Sequence, residues 1–108
     1  MAKVTFNNQV IAEADDANIL MIEGNKYFPP ESIKKEFLKE TEQHSVCPWK
    51  GNANYYSITV ADKTAENAAW FYPVPKEGSN ELVGKNNNKP GIDFANYVAF
   101  YTDKVTLE

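Results

Sequence analysis

Arginine is missing from this sequence. All eleven of its cations are lysines, set against fifteen acidic residues for a formal charge of −4. Arginine grips phosphate and guanine through a two-pronged fork, whereas lysine offers a point charge. An acidic chain without that fork lacks the electrostatic footprint of a nucleic-acid binder, so no nucleic-acid partner is expected. Cysteine and histidine occur once each, as Cys47 and His44. A single thiol excludes an intramolecular disulfide, and one Cys with one His excludes zinc sites built from four such ligands. No metal site is expected. Long apolar runs are also missing. The longest, such as Ala68–Tyr72 and Tyr97–Tyr101, are far too short to cross a bilayer as a helix. The opening Met1-Ala2-Lys3-Val4-Thr5-Phe6 has no apolar signal core. The expectation is a cytoplasmic protein with a reduced thiol and no membrane partner.

Glycine is scarce, at five residues, and none are clustered ahead of a helix as phosphate-cradling loops require. The G-x-S-x-G elbow of serine hydrolases is absent. Asp15 and Asp16 are adjacent, which on a strand places them on opposite faces, and Asp93 has no acidic residue two positions away. The acid pairs of two-metal phosphoryl transfer are therefore lacking. No cofactor is expected.

What the chain does have is rings. It has 108 residues, 43% hydrophobic and 13% aromatic, which predicts one domain with an aromatic core. Lys3–Phe6 and Gln9–Glu13 read as strands around the turn-prone Asn7-Asn8. Ile19–Glu23 and Lys26–Phe28 read as a hairpin about Gly24-Asn25. Asn54–Val60 is the clearest strand, with Tyr55, Ser57 and Thr59 on one face and Tyr56, Ile58 and Val60 on the other. Ala68–Tyr72, Tyr97–Tyr101 and Lys104–Leu107 complete the set. Pro29-Pro30 stops the sheet, and Glu31–Glu40 predicts the one helix from Ile33, Phe37 and Leu38 at i, i+4 and i+5. Lys63–Asn67 reads as a loop, and Lys76–Pro90, with Gly78, Gly84 and three asparagines, as a mobile one. The predicted fold is mainly β, a β-complex at the margin of α+β. It is a compact single domain over residues 1–108, with about eight short antiparallel strands and one helix near residues 31–40.

One segment stands apart. Cys47-Pro48-Trp49-Lys50-Gly51 lies between the predicted helix and the clearest strand. Pro48 fixes φ and Gly51 permits positive φ, so the segment specifies a defined turn. A lysine beside a cysteine stabilises the thiolate, and His44 lies three residues upstream as a base or second cation. Cys47, Lys50 and His44 are therefore the candidate catalytic residues. The plainer reading makes Cys47 a small buried hydrophobe and His44 a surface residue. Lys50, held between Trp and Gly in a tight turn, is not a generic solvated lysine. Trp49 and Trp70 suit a core or a pocket wall, and so do Tyr27, Tyr55 and Tyr72, whose hydroxyls need partners when buried.

These residues resemble domain-of-unknown-function family 427, also labelled nucleotidyltransferase-like. The carriers are Tyr27-Phe28-Pro29 with Ile33, then Cys47-Pro48-Trp49-Lys50-Gly51 with Ala53 and Tyr55. Ala69-Trp70, Tyr72-Pro73 and Pro75 follow, with Ile92 and Tyr97-Val98-Ala99-Phe100-Tyr101 at the end. The resemblance covers nearly the whole chain. It implies a compact single-domain β-complex fold, grouped with small folds of the methionine sulfoxide reductase B type. The zinc cysteines of some such folds have no counterpart here. Nucleotidyl transfer needs glycine-serine followed by paired acids; Gly78-Ser79 is present, but no acid pair follows at suitable spacing.

The leading functional reading is a small-ligand or partner-binding β domain, acting as a monomer or weak homodimer. Its binding residues would be Tyr27, Trp49, Lys50, Tyr55, Trp70 and Tyr72, with Lys50 as polar anchor among the rings. The alternatives are a thiol-dependent enzyme using Cys47 with Lys50 or His44, and a purely structural or oligomerisation module.

Overall fold

Strand alternation divides the rings of this chain between two cores, one on each face of a central sheet. The computed structural model describes residues 1–108. The central sheet has four antiparallel strands in the order β5-β6-β7-β8, namely Leu38–Cys47, Gly51–Val60, Lys63–Phe71 and Val98–Phe100. Along a strand, successive side chains point to opposite faces. Ile58, Ala69, Phe71, Val98 and Phe100 therefore join the first core, while Ala53, Tyr55, Trp70, Tyr72 and Ala99 belong to the second.

The first face is covered by β1 (Ala2–Phe6), β2 (Gln9–Ala14) and β9 (Thr106–Leu107), a sheet ordered β2-β1-β9. Asn7 and Asn8 form the expected turn, both with positive φ, which asparagine tolerates well. The second face is covered by the hairpin of β3 (Leu20–Ile22) and β4 (Asn25–Tyr27), by Phe94, and by the helix α1 (Ser79–Asn86). An antiparallel bridge from Phe28 to Val98 joins β4 to β8. The exposed edge of β3 is masked by one side chain. Asn87 accepts from the Met21 N–H at 2.7 Å and donates to the Met21 carbonyl at 3.0 Å, as a neighbouring strand would.

The mainly β architecture with a single α-helix agrees with the sequence reading, but the helix lies elsewhere. Residues 31–40 form no α-helix. Two short 3₁₀ turns, Pro30–Ser32 and Lys35–Phe37, lead directly into β5. Ile33 is drawn instead into an antiparallel bridge with Ala12, and the Lys34 N–H donates to the Ile11 carbonyl at 2.8 Å. The apolar spacing that suggested a helix spans barely one turn, so tertiary pairing overrides it. The helix forms within 76–90, which reads as a loop from its glycines and asparagines. Gly84 is required there: a Cβ would sit 2.7 Å from the Lys89 carbonyl oxygen, so only glycine lets the returning chain pack on the helix.

Two smaller corrections concern turns. Lys63–Asn67 is the first half of β7 rather than a loop, because the β6–β7 hairpin turns tightly at Ala61-Asp62. The β3–β4 hairpin turns at Glu23-Gly24, one residue earlier than Gly24-Asn25, with Ile22 paired to Asn25.

Candidate functional site

The turn between β5 and β6 fixes the site. Cys47 pairs with Gly51 across the hairpin, leaving Pro48, Trp49 and Lys50 as its tip. Gly51 has φ of +115°, and a Cβ there would meet the Val74 carbonyl oxygen at 3.1 Å. The tip is tied to the strand's continuation after β7: the Lys76 N–H donates to the Lys50 carbonyl at 2.9 Å, and Lys76 Nζ to the Pro48 carbonyl at 2.8 Å. With its backbone held from outside, Lys50 turns its side chain inward.

Lys50 is only 6% exposed and is the one buried residue of the chain that carries a charge. Its ammonium is bonded to the Glu23 carboxylate. It also lies over two ring faces, 5.2 Å from the centre of Tyr72 and 5.5 Å from that of Trp49. Burial alone would push the Lys50 ammonium down. The hydrogen bond to Glu23, then the Tyr27 and Tyr72 phenols, outweigh it and hold the group above the ordinary lysine value. The geometry holds Lys50 as a cation paired with Glu23. The same bond holds the Glu23 carboxyl below its usual range.

Glu23 is the residue that sequence reasoning missed. It occupies the first position of a two-residue turn with φ of +53°, a conformation costly for a side chain like glutamate. Its backbone is strained and its carboxylate half in water, yet it supplies the counter-ion of the buried lysine. The Glu23-Gly24 pair between two apolar runs was the available signal.

The six predicted binding residues do not form one pocket. Tyr27, Trp49 and Tyr72 gather around the Lys50 ammonium. Tyr27 is fully buried, and Trp70 Nε1 donates to its hydroxyl at 2.9 Å with the two rings edge to face. Burial raises the Tyr27 phenol and, with the neighbouring Tyr27, pushes the Tyr72 phenol up to about 12. Tyr55 lies farther along the sheet. Its hydroxyl shares a 2.9 Å hydrogen bond with Ser45. Trp70 bridges the two groups, bonded to Tyr27 on one side and lying 4.5 Å from the Tyr101 ring on the other.

His44 is not assembled with the other two candidate catalytic residues. His44 and Cys47 are an odd number of positions apart on one strand, so their side chains leave opposite faces. The His44 ring is bonded to the Asn54 side chain at 2.9 Å and is exposed. The Lys50 ammonium is taken by Glu23. Cys47 is half-buried against the second core and borders an open groove of about 620 Å³ with Val46, Pro48, Val74 and Pro75.

The whole chain, residues 1–108, matches the model of one family, described as a domain of unknown function (DUF427). The chain belongs to the DUF427 family. No curated protein matches it. For this DUF427 member, the turn Cys47–Gly51 is where a buried charge, two phenols and an indole meet. No helix of the structure is long and apolar enough to cross a membrane.

The cluster is expected to lower stability at alkaline pH. The Tyr72 phenol ionises near 10 when unfolded and near 12 when folded. Its contribution is complete below the lower value and is lost as pH rises toward the upper one. Lys50, also raised, loses its contribution in the same direction, at higher pH. The urea midpoint of the wild type is expected to drop steadily between those two pH values, and the Tyr72→Phe midpoint to drop less. Parallel curves for the two proteins would refute this assignment.

Proposed function

We propose that this domain binds a small anionic ligand, carboxylate-bearing in the first instance, at the Lys50 cluster. The observation that supports it most is the buried Lys50 ammonium, whose counter-ion is lent by a strained and half-exposed turn residue. Burying an ion pair seldom adds stability over apolar packing of the same volume. Strained backbone held by its surroundings gathers at functional positions. In this reading, Glu23 stands where a ligand carboxylate would lie. The Tyr27 and Tyr72 hydroxyls supply directional partners, and Trp49 supplies an apolar wall. The ligand enters as the Glu23-Gly24 turn swings aside. The lone unpaired thiol fits a reducing compartment, and we place the protein in the cytoplasm.

The experiment is a titration of isotope-labelled protein with acetate, benzoate, indole-3-acetate and inorganic phosphate, reading the Trp49 and Trp70 indole signals and the Gly51 amide. Glu23→Gln removes the internal competitor and is expected to tighten binding by about tenfold. Lys50→Met is expected to abolish the response. Silence of both the wild type and Glu23→Gln toward all four anions would overturn the reading. A response to phosphate alone would replace the carboxylate by a phosphate group.

A further inference from the structure

Away from Lys50, the same sheet face carries a second cavity, of about 320 Å³, lined by Gln43, Tyr55, Asn67, Tyr101, Asp103 and Lys104. Two backbone irregularities shape it. The β5–β6 pairing slips between Glu40 and His44, and the β6–β7 pairing slips between Tyr56 and Ile58. Bulges of this kind re-aim side chains and recur beside binding sites. The first delivers Gln43 to the cavity, with Thr41 behind it bonded to Asn67, and the second delivers Asn67.

Asn67 is held with unusual care. It has φ of +49° inside a strand. Its N–H donates to Ser57 Oγ at 3.0 Å, and its Oδ1 accepts from Thr41 Oγ1 at 2.7 Å. That fixes the amide and leaves Nδ2 without a partner in the protein. The Asp103 carboxylate and Gln43 Oε1 likewise accept no hydrogen bond. Lys104, the one cation here, donates to the Glu66 carbonyl at 2.7 Å and lies 5.9 Å from the centre of the Tyr101 ring. The aromatic wall is formed by Tyr55 and Tyr101, whose rings lie within 6° of parallel at 6.5 Å, with Trp70 behind Tyr101.

We infer that this cavity binds a neutral carbohydrate, as a single sugar ring. A sugar presents C–H groups that pack on aromatic rings and hydroxyls that both donate and accept. The cavity offers ring surface, the Asn67 Nδ2 donor and two acceptors, the two amides carried on β5 and β7 and Asp103 on the turn after β8. The lining holds one carboxylate, Asp103, and one ammonium, Lys104, so its charge is balanced and favours a neutral ligand over an anion. The volume lies at the small end for ligand sites, roughly 300 to 1,000 Å³, which suits one ring and not a chain. This inference does not depend on the anion site at Lys50.

The test uses the methyl glycosides of glucose, galactose, mannose and N-acetylglucosamine as probes at millimolar concentration. The readout is the side-chain amide signals of Asn67 and Gln43. At least one glycoside is expected to shift them in a saturable manner. Tyr101→Ala, at a rim position 36% exposed, is expected to weaken that binding by about tenfold. Asn67→Gly, which suits the positive φ and removes the side chain with its free Nδ2, is expected to weaken it similarly. Unmoved amide signals with all four glycosides would overturn the proposal, as would binding unchanged in both variants. A response to tetramethylammonium with silence toward the glycosides would instead make the cavity a cation cage.

Discussion

Glu23→Ala is expected to lower the unfolding free energy by about 2 kcal/mol, and Glu23→Ala with Lys50→Met to recover most of that loss. Removing one partner of a fully buried ion pair costs about 3–5 kcal/mol, because the other charge is left without compensation. The smaller figure here follows from geometry. The Glu23 side chain is 53% exposed, so water enters the space it vacates and rehydrates part of the ammonium. Alanine is the right replacement because it keeps the backbone cost at positive φ, whereas glycine would relieve strain and mask the lost pair. Methionine at Lys50 retains the stem that lies against Trp49 and Tyr72 while deleting the charge. Urea unfolding with unchanged slope measures both variants. A neutral Glu23→Ala would mean the ammonium is already hydrated in the native state. A double variant as unstable as the single one would mean that the loss comes from the turn and not from the pair.

That Glu23 had to be found in the structure explains what a sequence of this type conceals. Periodicity is local: Tyr55 and Tyr56 declare opposite faces within two residues, and the two cores divide as their alternation requires. Partnership is not local. Glu23 and Lys50 are 27 positions apart, one in a hairpin turn and the other in a different hairpin, and no pattern links them. The grouping of His44 with Cys47 and Lys50 failed for the complementary reason. Nearness along the chain suggested it, but strand parity sends His44 away from Cys47 and a distant carboxylate takes Lys50. The carriers of the second cavity were hidden more deeply still. Asn67 and Gln43 reach it only through register slips, which depend on how neighbouring strands settle against each other.

The helix shows the same limit in energetic terms. Gly84 lowers helix propensity by roughly 1 kcal/mol against alanine, and the asparagines that follow lower it further. Tertiary contacts outweigh that cost. Val83 is buried in the second core, Asn87 caps the helix while masking β3, and the missing Cβ of Gly84 admits the Lys89 carbonyl. In 31–40 the propensity was adequate, but the apolar residues had better use as strand-like contacts with β2 and β6.

Trp70→Ala is expected to cost about 3 kcal/mol or more, in keeping with other large aromatic truncations of partly buried sites. Trp70→Phe separates the components of that loss. It retains much of the ring contact with Tyr101 and deletes the donor to the Tyr27 hydroxyl, which has no exposure to water. An unsatisfied buried hydroxyl costs about 1–3 kcal/mol, so Trp70→Phe is expected to lose roughly 1–2 kcal/mol. Tyr27→Phe combined with Trp70→Phe removes donor and acceptor together and is expected to be less unstable than the sum of the single variants. Strict additivity would show that the hydrogen bond contributes nothing. The consequence for function is specific. Trp70 touches both the Tyr27–Lys50 cluster and the Tyr55–Tyr101 wall, so its indole signal reports on both. If the two sites are independent, anions move that signal without shifting the Asn67 amide, and glycosides move Asn67 without shifting Gly51. Cross-talk that vanishes in Trp70→Phe would instead make Trp70 the physical link between them.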